Sequence, residues 1–277
     1  MELDRDRLQS ILNQDHSFYG SMPAKYRTDG HIAPRASEVI ASQFCPEMRV
    51  LDIGCGNGAT LLLNADRLGS ALGVDNDPGH VELAEKDRAA RKVRNIEFML
   101  LDFLAEGKAL EPESFDFVYS ERAPIGYDSF GVKAALRVLK PGGLIFCELI
   151  GELHHQEVKE VFGDSTRLSQ TITVQDQMRV SMERCGVGIR FAADVVEKRI
   201  YPDVYEWLQF QCSIWAWADG TLPSCDDPRL RLFAERNTTS SGEIETTHHV
   251  AWIGGVKLPE NPYPERVIEG TISWQGL

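Results

Sequence analysis

The run Val50, Leu51, Asp52, Ile53 leads into three glycines at alternate positions, Gly54, Gly56 and Gly58, and then into Leu61, Leu62 and Leu63. The apolar residues suit a short strand covered on both faces. The glycines let the backbone turn tightly and come close to a ligand. A helix starting behind the turn presents unpaired N–H groups to it. The stretch predicts a nucleotide-type cofactor site. Strand signals follow at 70–75, 95–101, 115–119 and 143–149, and helix signals at 59–67, 78–93, 104–109 and 129–139. Such alternation predicts an α/β fold with a mostly parallel, doubly wound sheet, and ligands beyond the carboxyl ends of its strands.

The flanks add to this core. Leu8, Ile11 and Leu12 mark a short helix over 4–13, and Pro34 opens another to Gln43. The loop from His16 to Tyr26, rich in aromatic and turn residues, reads as an anchored surface connection or a lid over the cofactor. Beyond residue 151, helices read at 157–162 and 174–185 and strands at 187–200 and 247–257. Residues 201–246 lie between those strands and hold two helices, which is long for a plain connection and suggests a cap. Trp207, Phe210, Trp215 and Trp217 read either as an apolar pocket wall or as packing of that cap. The chain divides into N-terminal helices and lid (1–44), core (45–200 with 247–257), cap (201–246) and extended tail (258–277).

A net charge of −13 repels phosphate backbones and makes nucleic acid a poor default partner. No apolar run is long enough for a membrane-spanning helix, and the charged N-terminus does not resemble a signal peptide. The six cysteines are scattered without a C-x-x-C pair, which argues against a zinc ribbon or a disulfide framework and fits a reducing cytoplasm. No metal-ligand spacing is evident, so no metal is expected.

Gly54, Gly56 and Ala59 fit the dinucleotide fingerprint, and Asp75 suits ribose hydroxyls. Two features point elsewhere. Asp52, two residues before the first glycine, would repel a pyrophosphate and attract an ammonium or sulfonium. Asp102, at the end of the third strand, can accept from an exocyclic amine, and Phe103 can cover a flat base. An amino-acid end, a ribose and an adenine without phosphate describe S-adenosylmethionine.

With these motifs in place, the sequence resembles the class I S-adenosylmethionine-dependent methyltransferases. The likeness runs over about residues 45–150: Val50 to Gly58, then Gly73, Val74, Asp75, Asn76 and Asp77, then Leu101, Asp102 and Phe103, then Phe115 to Ser120, then Leu139 to Gly143. It implies a Rossmann-like sheet of seven strands, the last antiparallel. It also implies that Asp52, Gly54, Cys55, Gly56 and Gly58 lie near the methionine end. Asp75 and Asn76 would lie at the ribose, and Asp102 and Phe103 at the adenine. Ser120 and Glu121 would lie at the reacting end.

Methyl transfer from a sulfonium is an in-line displacement, so the enzyme mainly positions the nucleophile and keeps it deprotonated. Candidate bases are Glu121, Asp128, Glu152, His154 and His155, with Tyr127 and His16 as weaker choices. His154 is favoured with Glu121, because imidazole titrates near neutral pH. In adjacent strand positions, His248 and His249 face opposite sides, so at most one meets the pocket. The expected activity is methylation of an oxygen or nitrogen nucleophile on a small molecule. The alternatives are a ribosomal-RNA guanine methyltransferase and a protein that binds the cofactor without transferring methyl.

Overall fold

The computed structural model describes residues 3–16, 25–29, 35–123, 125–163, 172–218 and 220–260. Most of the expected lid loop, Pro34, the side chain of Trp217 and the tail from 261 fall outside them.

Five strands form a parallel set: β2 (Arg49–Ile53), β3 (Ser70–Asp75), β4 (Ile96–Leu100), β5 (Phe115–Glu121) and β6 (Leu139–Ile150). β8 (Ile244–Lys257) runs antiparallel to β6, and β7 (Val187–Tyr201) antiparallel to β8. The expectation of seven strands needs one correction. Arg27–Thr28 pairs with β7 as a two-residue β1, giving eight strands in the order β1-β7-β8-β6-β5-β2-β3-β4. The crossovers run one way from β2 to β3 and β4 and the other way to β5 and β6. The carboxyl ends of β2 and β5 therefore flank the switch point, where ligands bind such sheets.

Val50, Leu51 and Ile53 are buried because helices cover both faces. One face carries Ile53, Val118 and Ile125 against α6 (Ser129–Val138) and α8 (Val174–Arg184). The other carries Val50, Phe117 and Tyr119 against α2 (Ala36–Ala41) and α3 (Ala59–Leu62). The remaining core helices are α4 (Pro78–Arg91) and the single turn α5 (Phe103–Glu106). Carboxylates start three of them: Asp77 caps α4, Asp102 caps α5 and Asp128 caps α6.

The helix expected over 59–67 breaks after Leu62 into a separate turn at Ala65–Arg67. Side chains compete for its carbonyls: Asn64 donates to Thr60 O and Asn95 to Ala65 O and Leu68 O.

β6 pairs with β8 only as far as Ile150 opposite Val250, whereas β7 and β8 stay paired to Tyr201 opposite Ile244. This ribbon of β7 and β8, edged by β1 at Arg199 and Ile200, carries a third core past the end of β6. There α1 (Arg5–Leu12), α7 (Gln156–Phe162), α9 (Val204–Ala218) and α10 (Pro228–Asn237) pack around Trp207, Leu208 and Phe233. Trp207 stacks on Phe233 with centroids 3.8 Å apart, and Trp215 packs on Phe162 at 4.9 Å, so both hold the helices together. Among the described residues no helix is long and apolar enough to cross a membrane.

Candidate active site

The turn after β2 is a cradle built by glycine. Gly54, Gly56 and Gly58 all have positive φ, of 76°, 53° and 72°. At Gly58 a Cβ would lie 2.3 Å from the Phe98 ring, so size and conformation both demand glycine. At Gly56 a Cβ would meet nothing within 4 Å, which leaves that stretch of backbone open to a ligand. Asp75 fixes the turn: one of its oxygens accepts from Gly56 N at 2.8 Å and the other from Asp77 N at 2.9 Å. Oδ1, which accepts from Asp77 N, also lies 3.5 Å from His80 Nδ1, and Oδ2 keeps a lone pair. Asn76 beside it is exposed. Cys55 donates weakly to Gly56 O at 3.6 Å, and burial raises its thiol far above the ordinary range, so it is a small neutral filler.

Three acids converge on this turn. Asp52 is 3% exposed and accepts from the Tyr119 hydroxyl at 2.7 Å. Burial holds its carboxyl well above the usual range; Glu121 and Asp75 push the same way, against the Tyr119 hydrogen bond. Glu121 accepts from Thr60 Oγ1 at 3.0 Å, and burial and then Glu148 raise its carboxyl. Glu148, opposite Glu121 in the β5–β6 register, is held by Trp252 Nε1 at 2.7 Å and by Arg122 at 3.4 Å. A cationic ligand beside Asp52, Asp75 and Glu121 would offset their mutual repulsion, which is the fit S-adenosylmethionine requires.

One consequence concerns stability. The folded Asp52 carboxyl keeps its proton to higher pH than an unfolded one, so the contribution of Asp52 to ligand-free stability is full below the ordinary value of 3.8 and is lost as pH rises through its raised folded value. Asp52→Asn, which can still accept from Tyr119, is expected to melt higher than the unaltered chain at pH 8, with the gap closing towards pH 4. Scanning calorimetry across that range checks it; a gap independent of pH counts against a buried charge at this position.

The other expected residues fall into different places. Asp102 Oδ1 accepts from Leu104 N and Ala105 N as the cap of α5, leaving Oδ2 free of any such bond. Phe103 does not present its ring to a ligand: it is 5% exposed and packs into the core with Leu101, Leu110 and Phe115. Ser120 is fully buried beside Ile53, and its hydroxyl has no hydrogen-bond partner. It faces the side of the sheet opposite Glu121.

His154 was the favoured imidazole, and its surroundings argue against a base. Nδ1 accepts from His249 N at 3.2 Å, so the neutral ring carries its proton on Nε2 and has no lone pair to spare. Burial depresses its basicity well below the ordinary value, helped by His155, His248 and the Arg199 and Arg122 charges. His249 staples the loop, accepting from Leu153 N on Nδ1 at 3.1 Å and meeting Asp194 through Nε2 at 3.3 Å. Asp128 caps α6 through Gly131 N at 2.9 Å, and His16 Nε2 meets Ile11 O at 2.8 Å. Tyr127 stays above its ordinary value through burial, and the exposed Glu152 lies 3.4 Å from Val174 N. Of the candidate bases, Glu121 joins a raised carboxyl to a place beside the glycine turn. Among the described residues no three His, Cys, Asp or Glu side chains are placed to hold a metal ion.

A sequence profile described as a methyltransferase domain matches residues 45–199, more than half of the chain. The chain belongs to this methyltransferase-domain family. Membership makes S-adenosylmethionine its cofactor. The methyltransferase core so defined contains the glycine turn, all three acids and Arg199. Among curated proteins, an aklanonic acid methyltransferase of a Streptomyces species is 40% identical over 102 residues, 35% of this chain and 46% of that protein. A demethylmenaquinone methyltransferase of Lactococcus lactis is 29% identical over 152 residues, 53% of this chain and 59% of that protein. The matches thus span about half the length of these relatives. Among solved structures, the YcgJ protein of Bacillus subtilis superposes with a TM-score of 0.57 at 17% identity, covering 81% of this chain and 98% of the other. That likeness supports the sheet order described above.

Proposed function

We propose that this methyltransferase acts on an oxygen or nitrogen nucleophile of a small molecule. The observation that carries the reading is the open backbone at Gly56, tied to Asp75 and ringed by Asp52 and Glu121. Bound there, S-adenosylmethionine supplies a methyl group already activated on its sulfonium. In this reading Asp75 holds the ribose hydroxyls, the second oxygen of Asp102 meets the adenine amine, and the Gly54–Gly58 turn with Asp52 faces the methionine end. Glu121 lies towards the acceptor, whereas Ser120 is buried on the other side of the sheet. Glu121, raised by burial, is a better proton acceptor than an exposed carboxylate and takes the role first given to His154. The helices between β7 and β8 form the cap of the acceptor site, and Phe210 is the aromatic of that segment turned towards His155, at 6.3 Å.

The named relatives support a small acceptor: one acts on aklanonic acid and the other on demethylmenaquinone, by their names. The net charge of −13 disfavours the ribosomal-RNA alternative. Six free cysteines agree with a reducing cytoplasm.

Incubating the chain with cell extract and isotope-labelled S-adenosylmethionine is expected to place label in the small-molecule fraction, read by mass spectrometry. Label confined to RNA supports the ribosomal alternative. Tight cofactor binding with no labelled product from any fraction supports a binding protein.

A further inference from the structure

Beyond Glu148 the same face of the sheet continues onto the β7–β8 ribbon. Arg199 lies opposite Thr246, His248 opposite Glu197, and Tyr201 opposite Ile244. Alternation along paired strands puts Arg199, Tyr201, Thr246 and His248 on one side. His155, at the start of α7, and Phe210 of α9 close over them: Phe210 lies 5.8 Å from the Tyr201 ring and 6.3 Å from the His155 ring. Tyr26 lies over the Arg199 guanidinium at 4.7 Å.

These groups are mostly buried, and several of their polar atoms lack hydrogen-bond partners among the described residues. Arg199 is 8% exposed and makes no ion pair among the described residues, and its Nε has no hydrogen-bond partner. Among the described residues His248 Nδ1 and His155 Nε2 are unpartnered as well, and the Tyr201 and Thr246 hydroxyls lie close to each other, with Arg199 near Tyr201, without a well-formed hydrogen bond. Contacts with Tyr26 and Phe210 ease the burial of the cation but give its N–H no acceptor.

Donors predominate among the unmet groups, and the Tyr201 and Thr246 hydroxyls can either donate or accept. Arg199 can only donate. Its Nη2 approaches His248 Nε2 at 3.1 Å, so that nitrogen accepts and His248 Nδ1 carries the ring proton. His248 is thus a second buried donor without an acceptor. Tyr201 and Thr246 each add a hydroxyl hydrogen. The histidines stay neutral: burial, with Arg199 beside them, lowers His155 to about 3 and His248 to about 2. A water molecule brings as many donors as acceptors, whereas a carboxylate only accepts. Glu197, on the same side of the ribbon, and Glu148, further along the face, both feel the Arg199 charge, and neither forms an ion pair with it among the described residues.

We propose that Arg199, His248, Tyr201 and His155 form a subsite for a carboxylate on the methyl acceptor, so that the substrate of this enzyme is an organic acid. The inference rests on the methyltransferase reading and sharpens it. The carboxylate binds between the Arg199 Nε–H and the His248 Nδ1–H, and the chain beyond it reaches along the sheet face towards Glu121.

Calorimetry on the full chain saturated with S-adenosylhomocysteine tests this. The probes are monocarboxylates from acetate to decanoate, benzoate and 2-naphthoate, each set against its own amide. At least one acid is expected to bind tenfold or more tightly than its amide. Arg199→Gln is expected to abolish that preference and Arg199→Lys to keep part of it, because the lysine retains the charge without the planar fork. Tyr201→Phe, which removes one oxygen and leaves the ring packing, is expected to weaken the acid severalfold and stands in if Arg199→Gln does not fold. Arg231→Gln, on the exposed side of α10, is expected to change nothing. Equal binding of every acid and amide, with S-adenosylhomocysteine still bound, overturns the subsite and leaves the methyltransferase reading intact. A preference that survives both Arg199→Gln and Tyr201→Phe also overturns it. Failure of the unaltered chain to bind S-adenosylhomocysteine overturns the methyltransferase reading instead.

Discussion

Asp75→Ala is expected to weaken S-adenosylhomocysteine binding by about 100-fold or more, because a carboxylate that holds two ribose hydroxyls loses two charge-assisted hydrogen bonds of about 1.5–3 kcal/mol each. The same carboxylate also fixes the turn through Gly56 N and Asp77 N, so its loss both removes a ligand contact and loosens the cradle. Asp77→Ala separates the two effects. Asp77 caps α4 by accepting from Gly79 N at 2.7 Å, and its removal is expected to cost about 1 kcal/mol of stability with a much smaller change in affinity. Calorimetric titration with circular dichroism as a check on folding decides the matter. Equal loss in both variants would mean that Asp75 acts only through the backbone.

Trp207→Ala is expected to cost about 3–5 kcal/mol, the range for a buried aromatic replaced by a methyl group. Trp207 is 1% exposed and lies against Phe233, Trp215 and Phe162, which together close the third core. At about 2–4 °C per kcal/mol for a domain of this size, the melting temperature falls by about 10 °C. The loss is local to the ribbon and its helices, so S-adenosylhomocysteine affinity is expected to survive at temperatures below the transition. A variant that melts normally would show that the tryptophan is dispensable to that core; one that loses the cofactor while folded would tie the ribbon to the donor site.

The parts of this architecture legible in the sequence are those fixed by local chemistry. A parallel strand buried on both faces is rich in apolar residues, so Val50, Leu51 and Ile53, and Phe115, Phe117 and Val118, announce their strands. Three glycines with positive φ mark the turn without help from distant residues. What stayed hidden depends on partners far along the chain. β1 is two residues long and exists because β7 offers an edge. Phe103 looks like a ring beside a ligand, yet Leu110 and Phe115 draw it into the core. The fate of His154 is decided by a backbone N–H at His249, which no spacing around residue 154 discloses. Arg199 gave no signal at all: in Glu197, Lys198 and Arg199 every side chain is charged, and only pairing with Thr246 and His248 shows which face is enclosed.

The ribbon formed by β7 and β8 beyond Ile150 has an evolutionary corollary. The donor cradle stands on β2, β3 and β5, while Arg199, Tyr201 and His248 stand on two strands that leave the sheet together. Drift in residues 197–249 can therefore retune the choice of acceptor while the machinery that grips the methyl donor is inherited unchanged. Grafting that segment between homologues should transplant acceptor preference as a unit, much as a tool head is exchanged on a common handle.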